Sequence, residues 1–571
     1  MAVIIGLLLV VAAGVGFGIL YGVSPEENKS DVPSVFRETE RAFIHLEADR
    51  SQITGTGASV SGNTVTISQA GRYSISGVLE NGQIYVNAKS DDTVILILNG
   101  IDVSNSNDAA IRIENAAQVH LVLEHSTTNQ VRSGAPIDLN AMEDSADSNA
   151  SGGAIYARND LSITGDGTLR VLGYINNGIQ TSNRLTIDSG NIEITALNNG
   201  LKGKDAVEIS GGTFFIRSGG DGIKSDDTSG DGFGVISIAG GNFSIISDSD
   251  GIQAETTLTI SNGDFSITTG GGSETAVRPS GGWGRWNNRW EMEEESSVST
   301  KGLKSGAAMR ISGGIFSVDA KDDAFHSNGS IQITGGSFTV ATGDDGIHAD
   351  TELSVESGEI LITDSYEGLE ANQIRLSGGT IDIVSADDGV NAYGGQNNWG
   401  WGGPSKTTEE TPNLYFLGAE VTINASGDGI DSNANIYVED GIVIVNGPTN
   451  SGNGAIDFGR ENGGVCVVNG GIVLAIGASG MAETFDESSG QCSFRYNFEQ
   501  AFGEGSQITI SDAQGNILIE HTVIKRAESI VFSCPELEIG QNYTISIDRQ
   551  SVEIAQNSVS ASYGRASRWG W

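Results

Sequence analysis

Asp-Gly-Ile, or a near relative of it, recurs through the middle of this chain at an almost constant interval. It reads Asn177-Gly178-Ile179, Asn199-Gly200-Leu201, Asp221-Gly222-Ile223 and Asp250-Gly251-Ile252, then Lys301-Gly302-Leu303 and Asp323-Ala324-Phe325. Asp345-Gly346-Ile347, Glu367-Gly368-Leu369, Asp388-Gly389-Val390 and Asp428-Gly429-Ile430 complete the series. Where nothing is inserted, successive copies stand 22 or 21 residues apart. A fixed period in this range means one supersecondary unit stacked on copies of itself.

A second column precedes the first. Val207-Glu208-Ile209-Ser210-Gly211-Gly212-Thr213-Phe214 aligns with Ile236-Ser237-Ile238-Ala239-Gly240-Gly241-Asn242-Phe243, and the Gly pair or its relative continues to Gly470-Gly471. Each unit is thus a short alternating run, a Gly turn, a second alternating run and the Asp-Gly turn. Alternation with β-branched enrichment means strands, and Gly at both corners is expected to supply φ above zero. Short strands at this period predict an all-β fold: a right-handed parallel β-helix of ~22-residue coils, by the crossover rule for parallel strands.

In such a stack the equivalent residues of successive coils lie above one another, ~4.8 Å apart. Asp221 and Asp250 become neighbours, as do Asp323, Asp345, Glu367 and Asp388, with Asp428 in the same series. Two carboxylates at that spacing repel by roughly 3–4 kcal/mol at an effective dielectric of 20. They must therefore splay into water, pair with cations or share a metal. Three residues downstream runs a second column: Lys202, Lys224, Gln253, Lys304, His326, His348, Glu370, Asn391 and Asp431. Lysine can neutralise the early coils, whereas Asp322, Asp344, Asp350, Asp387 and Asp431 crowd the later ones. Hard oxygen donors at this density favour Ca²⁺, with Asp221, Asp250, Asp323, Asp345, Asp388 and Asp428 as candidate ligands. Asp before Gly is also an ordinary turn former, so each acid has that second reading. Asp226–Gly232 resembles a calcium loop but lacks the closing Glu of an EF-hand.

The net charge of −42, from 73 acidic against 31 basic residues, excludes nucleic acid as a partner. Residues 1–22 read as a cleaved export signal or a membrane anchor, the apolar run covering residues 2–20. Either way the chain is exported, secreted or held at the cell surface. Residues 23–43 read as a polar linker with a short helix around Arg37–Phe43, and the repeat body spans 44–480. Past 480 the period is lost, and alternating runs with a turn at Gln514-Gly515-Asn516 suggest a small β-sandwich-like module over 481–556. Residues 557–571 form a tail. Cys492 and Cys534 alternate with apolar residues facing one core, as a disulfide or as two buried thiols; Cys466 is core.

Two insertions interrupt the repeat, at about 271–300 and 393–412. Solenoid insertions emerge on one face, often the binding face. They carry Trp283, Trp286, Trp290, Trp399 and Trp401, whose flat indoles suit stacking on sugar rings or packing on the solenoid wall. No nucleophile elbow, phosphate loop or zinc motif is recognisable. A lyase would need Ca²⁺ and a base of lowered pKa, for which Lys202, Lys224 and Lys304 are candidates; as counter-ions to the acids they need no catalytic role.

The order Thr64-Val65-Thr66-Ile67, Ala70-Gly71-Arg72-Tyr73-Ser74-Ile75-Ser76-Gly77, Asn81-Gly82-Gln83-Ile84-Tyr85-Val86, Val94-Ile95-Leu96-Ile97-Leu98-Asn99-Gly100, Ala110-Ile111 and Asp221-Gly222-Ile223-Lys224-Ser225 resembles a particular bacterial family. These are carbohydrate-binding, polysaccharide-lyase-like β-helix proteins first described from a cellulolytic clostridium. The resemblance covers about residues 50–550. It implies an exported right-handed β-helix that binds Ca²⁺ and acidic plant polysaccharide, chiefly polygalacturonate and also cellulose, with pectate-lyase-like shape and no established catalysis; the chain is expected to be a monomer. The Trp-bearing insertions, Glu367 and Lys301 depart from the family pattern. Three functions follow as expectations: a Ca²⁺-dependent binder of acidic polysaccharide, a lyase using the same groove, or a structural adhesin without glycan affinity.

Overall fold

The computed structural model describes residues 40–48, 50–135, 152–278, 298–393 and 411–565. Among these the chain is nearly all strand, with two single 3₁₀ turns at Ser273–Thr275 and Arg460–Asn462. The N-terminal signal or anchor, the linker up to residue 39, all five insertion tryptophans and the last six residues lie outside the described residues.

Each repeat folds into three strands, for example Ile223–Ser225, Val235–Ile238 and Asn242–Ser247. Every one of them pairs in parallel with its equivalent in the next repeat, never with its own neighbour in sequence. Ile223 aligns with Ile252 and then Leu303; Ile236 with Leu258 and then Met309; Phe243 with Phe265 and then Phe316. The result is a large, mostly parallel ring of sheet enclosing one continuous apolar interior. Period-two burial explains it: in Ile223–Ser225 the outer two residues are buried and Lys224 between them is not fully so.

The interior is ordered by identical side chains meeting at identical positions. Phe214, Phe243, Phe265, Phe316 and Phe338 stack with ring centroids 4.6, 4.7, 4.7 and 4.8 Å apart and planes within 3° of parallel. Each such pair contributes about 0.5–1.5 kcal/mol beyond its buried area.

The two kinds of glycine corner have different causes. The second Gly of each pair takes positive φ, +122° at Gly241 and +111° at Gly314, as expected. The Gly of Asp-Gly does not, which corrects the expectation for that corner. A Cβ on Gly222 would sit 2.5 Å from both the Gly251 carbonyl oxygen and Ile245 Cγ2. Close stacking of backbone, not handedness, demands glycine there.

At the start, Ala42–Leu46 is a strand, paired antiparallel with Gln52–Gly55 and parallel with Gly71–Leu79. The expected helix reaching Phe43 is therefore corrected for its described end; alternation of buried Ala42, Ile44 and Leu46 decides for strand. At the other end the parallel series stops at Ile472–Gly477, which pairs antiparallel with Ala527–Ser533. Ser493–Phe502 lies on the far edge of that strand. A separate antiparallel sheet orders Ile517–Thr522, Gln507–Asp512, Asn542–Ile547 and Gln550–Ala555. Its core includes Phe494, Phe532 and Cys534, with Cys492 packed against it; all three cysteines are free thiols.

Candidate functional site

The middle residue of the first strand lies three positions after the Asp of each Asp-Gly turn, so two columns of polar side chains run side by side. The strand register confirms the second column: Lys202, Lys224, Gln253, Lys304, His326, His348, Glu370, Asn391 and Asp431 are successive partners, extended at the two ends by Gln180 and Asp457.

The first column is a hydrogen-bonded row. Asn177 Oδ1 accepts the backbone N–H of Asn199 at 3.0 Å, and Asn199 Oδ1 accepts that of Asp221 at 3.0 Å. Asp221 Oδ1 then accepts from Asp250 N at 3.0 Å, and Asp250 Oδ1 from Lys301 N at 2.7 Å. Asp323 Oδ1 accepts from Asp345 N at 3.1 Å, Asp388 Oδ1 from Asp428 N at 2.6 Å and Asp428 Oδ1 from Gly454 N at 2.5 Å. One oxygen of Asp221, Asp250, Asp323, Asp388 and Asp428 thus satisfies the backbone of the next repeat, which is why Asn can open the row in place of Asp. The second oxygen is left to bear the charge.

What meets that second oxygen changes along the row. Lys224 Nζ lies 2.6 Å from Asp221 Oδ2, and Lys304 Nζ 3.6 Å from Asp250 Oδ2. Lys301 Nζ bridges Asp322 Oδ1 at 2.9 Å and Asp323 Oδ2 at 2.7 Å. Burial disfavours charge on Lys301, but Asp323 and Asp322 outweigh it and hold the ammonium well above its usual range. Lys224 is likewise raised, burial being overcome by Asp221. Lys202 turns away from the row to Asp226, at 2.6 Å.

Two histidines follow. His326 Nδ1 is 2.8 Å from Asp323 Oδ2, and its Nε2 is 2.8 Å from Asn328 Oδ1. His348 Nδ1 is 3.0 Å from Asp345 Oδ2 and 3.6 Å from Glu370 Oε2, with Nε2 3.4 Å from Asp350. Burial lowers the His348 pKa, but Asp345 and Asp350 more than reverse that, so the ring is held well above its ordinary value. Glu370 is pushed up to about 11 by burial and by Asp345 and Glu367.

Beyond Glu370 it is burial and other acids that raise the carboxyls. Asp388 is raised well above the carboxylate range by burial, then by Asp428, Glu367 and Asp431. Burial and Asp457 push Asp428 up to about 8. Asp431 is raised by burial, Asp428 and Asp457. Asp388, Asp428, Asp431 and Asp457 nonetheless keep part of their surface exposed.

Sequence reasoning placed both columns but missed Asp457 and the role of Lys301. Asp457 belongs to a turn reading Gly454-Ala455-Ile456, which lacks both signature residues; the shared Ile-Asp of Ile430-Asp431 and Ile456-Asp457 was the available signal. Lys301 stands where an acid was expected and brings its charge to the acids of the next repeat.

A stacked, mostly parallel all-β body carrying a buried acidic row defines the class of protein. The chain belongs to the family of carbohydrate-binding domain-containing proteins, whose sequence model matches residues 61–346. A carbohydrate-binding domain-containing protein of Acetivibrio thermocellus is 38% identical over 140 residues, 24% of this chain and 48% of that relative. The match thus spans about half the relative's length. A solved structure of the polysaccharide lyase-like protein from C. thermocellum, a gadolinium derivative, is 34% identical with a TM-score of 0.37, covering 40% of this chain and 92% of that one.

Proposed function

We propose that this chain is an exported, non-catalytic, monomeric protein that binds acidic polysaccharide of the polygalacturonate type through Ca²⁺, on a right-handed parallel β-helix. The observation that carries the reading is the downstream end of the row, where Asp388, Asp428 and Asp431 face burial and one another. Carboxylates in that position bind protons or cations, and oxygen donors alone favour Ca²⁺ over softer ions. An anionic chain repels an anionic glycan, so divalent ions between them reconcile the charges. Family membership supports the carbohydrate. The insertion tryptophans Trp283, Trp286, Trp290, Trp399 and Trp401 would add stacking platforms.

The upstream candidates Asp221 and Asp250 are less suited to Ca²⁺, because Lys224 and Lys304 already stand against them. Retention on a polygalacturonate gel tests the reading. It is expected in Ca²⁺ and lost in EDTA or in Asp388→Asn/Asp428→Asn; retention indifferent to chelator would defeat it. For the lyase alternative, Lys224 is a poor base, being held charged by Asp221. Ultraviolet-absorbing unsaturated product that disappears in Lys224→Ala would reinstate catalysis.

A further inference from the structure

We propose that Asp345, His348 and Glu370 form a binding site for one divalent transition-metal cation of the Zn²⁺ or Co²⁺ class. They stand on consecutive repeats: Asp345 precedes the strand that carries His348, and Glu370 is His348's direct partner on the next strand. One ligand atom from each lies within 4.8 Å of the other two. His348 Nδ1 is 3.0 Å from Asp345 Oδ2 and 3.6 Å from Glu370 Oε2. Zn²⁺ held tetrahedrally at 2.0–2.2 Å from N and O donors separates its ligands by about 3.4 Å, which these spacings bracket.

An independent observation points to a missing partner. Asp345 is 1% exposed and its Oδ1 has no hydrogen-bond partner. The equivalent oxygens of Asp221, Asp250, Asp323, Asp388 and Asp428 each accept a backbone N–H. A buried carboxylate oxygen without a partner is costly, and a cation held by both oxygens of Asp345, Oδ2 beside His348 and the unpartnered Oδ1, supplies one.

The donor set selects the class of ion. Imidazole is a good ligand for Zn²⁺ and its neighbours, whereas Ca²⁺ takes six to eight oxygens. His326 is set apart by its carboxylate: Asp323 Oδ2 already meets Lys301 Nζ at 2.7 Å, so that pair lies in the charge-balanced stretch of the row. Asp350 stands 3.4 Å from His348 Nε2, the place where a metal-bound histidine commonly meets a carboxylate. The His348 side chain is 25% exposed, which gives the ion a way in. The site uses residues other than Asp388 and Asp428, so it and the Ca²⁺ reading can each fail alone.

The experiment titrates CoCl₂ into untagged, chelator-treated full-length protein and follows visible d–d absorption, with CaCl₂ as competitor. One equivalent is expected to bind. His348→Ala and Glu370→Gln should abolish the bands, His326→Ala should retain them, and Asp350→Asn should weaken binding by roughly tenfold. Circular dichroism melts of the metal-free variants establish that each is folded. Bands that survive in folded His348→Ala and Glu370→Gln would overturn the proposal, as would Ca²⁺ displacing Co²⁺ at equal concentration.

Discussion

From Asp221 to Asp323 each buried acid of the row has an ammonium within 3.6 Å of its outer oxygen; from Asp388 to Asp457 the neighbouring charges are acids. Backbone geometry is the same in both halves, since the inner oxygen of Asp221 and of Asp388 alike receives the next repeat's N–H. The difference lies in the adjacent column, where Lys224 and Lys304 give way to Asn391 and Asp431, and in Lys301, which stands in the row itself. One scaffold position thus serves two ends: internal charge balance upstream, and an unbalanced charge open to ions downstream.

The sharpest way to break this contrast is to remove an upstream cation. Lys301→Ala strands Asp322 and Asp323 together and should cost about 3–5 kcal/mol in urea unfolding. A loss near zero would mean that the upstream half does not depend on its ion pairs.

A smaller effect separates the halves by pH. Asp428 is raised to about 8 when folded against 3.8 ordinarily, so the folded state binds its proton more tightly. Without metal, that contribution is full below pH 4 and is lost as pH rises through 8. In EDTA the melting temperature should fall by several degrees from pH 5 to pH 8, Ca²⁺ should restore it, and Asp428→Asn should flatten both responses. Asn199→Ala removes an uncharged rung and the acceptor for Asp221 N, costing about 1–2 kcal/mol with no pH dependence between 5 and 9. Lys202→Ala breaks only the partly exposed pair with Asp226, and should cost under about 1 kcal/mol, shrinking further in salt.

Much of this was legible from the chain. A period of 22 with Ile, Leu or Val at one phase fixes which residues stack, because inward positions must meet inward positions. Hence both polar columns could be written down before any coordinates. The sequence could not reveal which oxygen of an Asp serves the backbone, since that depends on side-chain torsion. Nor did it reveal why Gly222 is glycine, because steric exclusion by Gly251 and Ile245 comes from repeats still to be placed. The density of acids pointed to Ca²⁺ everywhere, and hid the different donor set that His348 makes with Asp345 and Glu370. The insertions that carry Trp283, Trp286, Trp290, Trp399 and Trp401 follow no period, so the sequence assigns those residues no neighbours.

The bond from Lys301 N to Asp250 Oδ1 joins residues 51 apart in sequence, yet it has the same form as bonds between residues 22 apart. Asp428 N to Asp388 Oδ1 does the same across 40. The coil closes behind extra residues whether they enter ahead of the Asp-Gly turn, as before Lys301, or after the first strand, as between Ala392 and Asn413, so both corners work as sockets. Foreign peptides grafted between residues 279 and 297 should be displayed without disturbing the repeats on either side, which makes the chain a candidate carrier for engineered recognition loops.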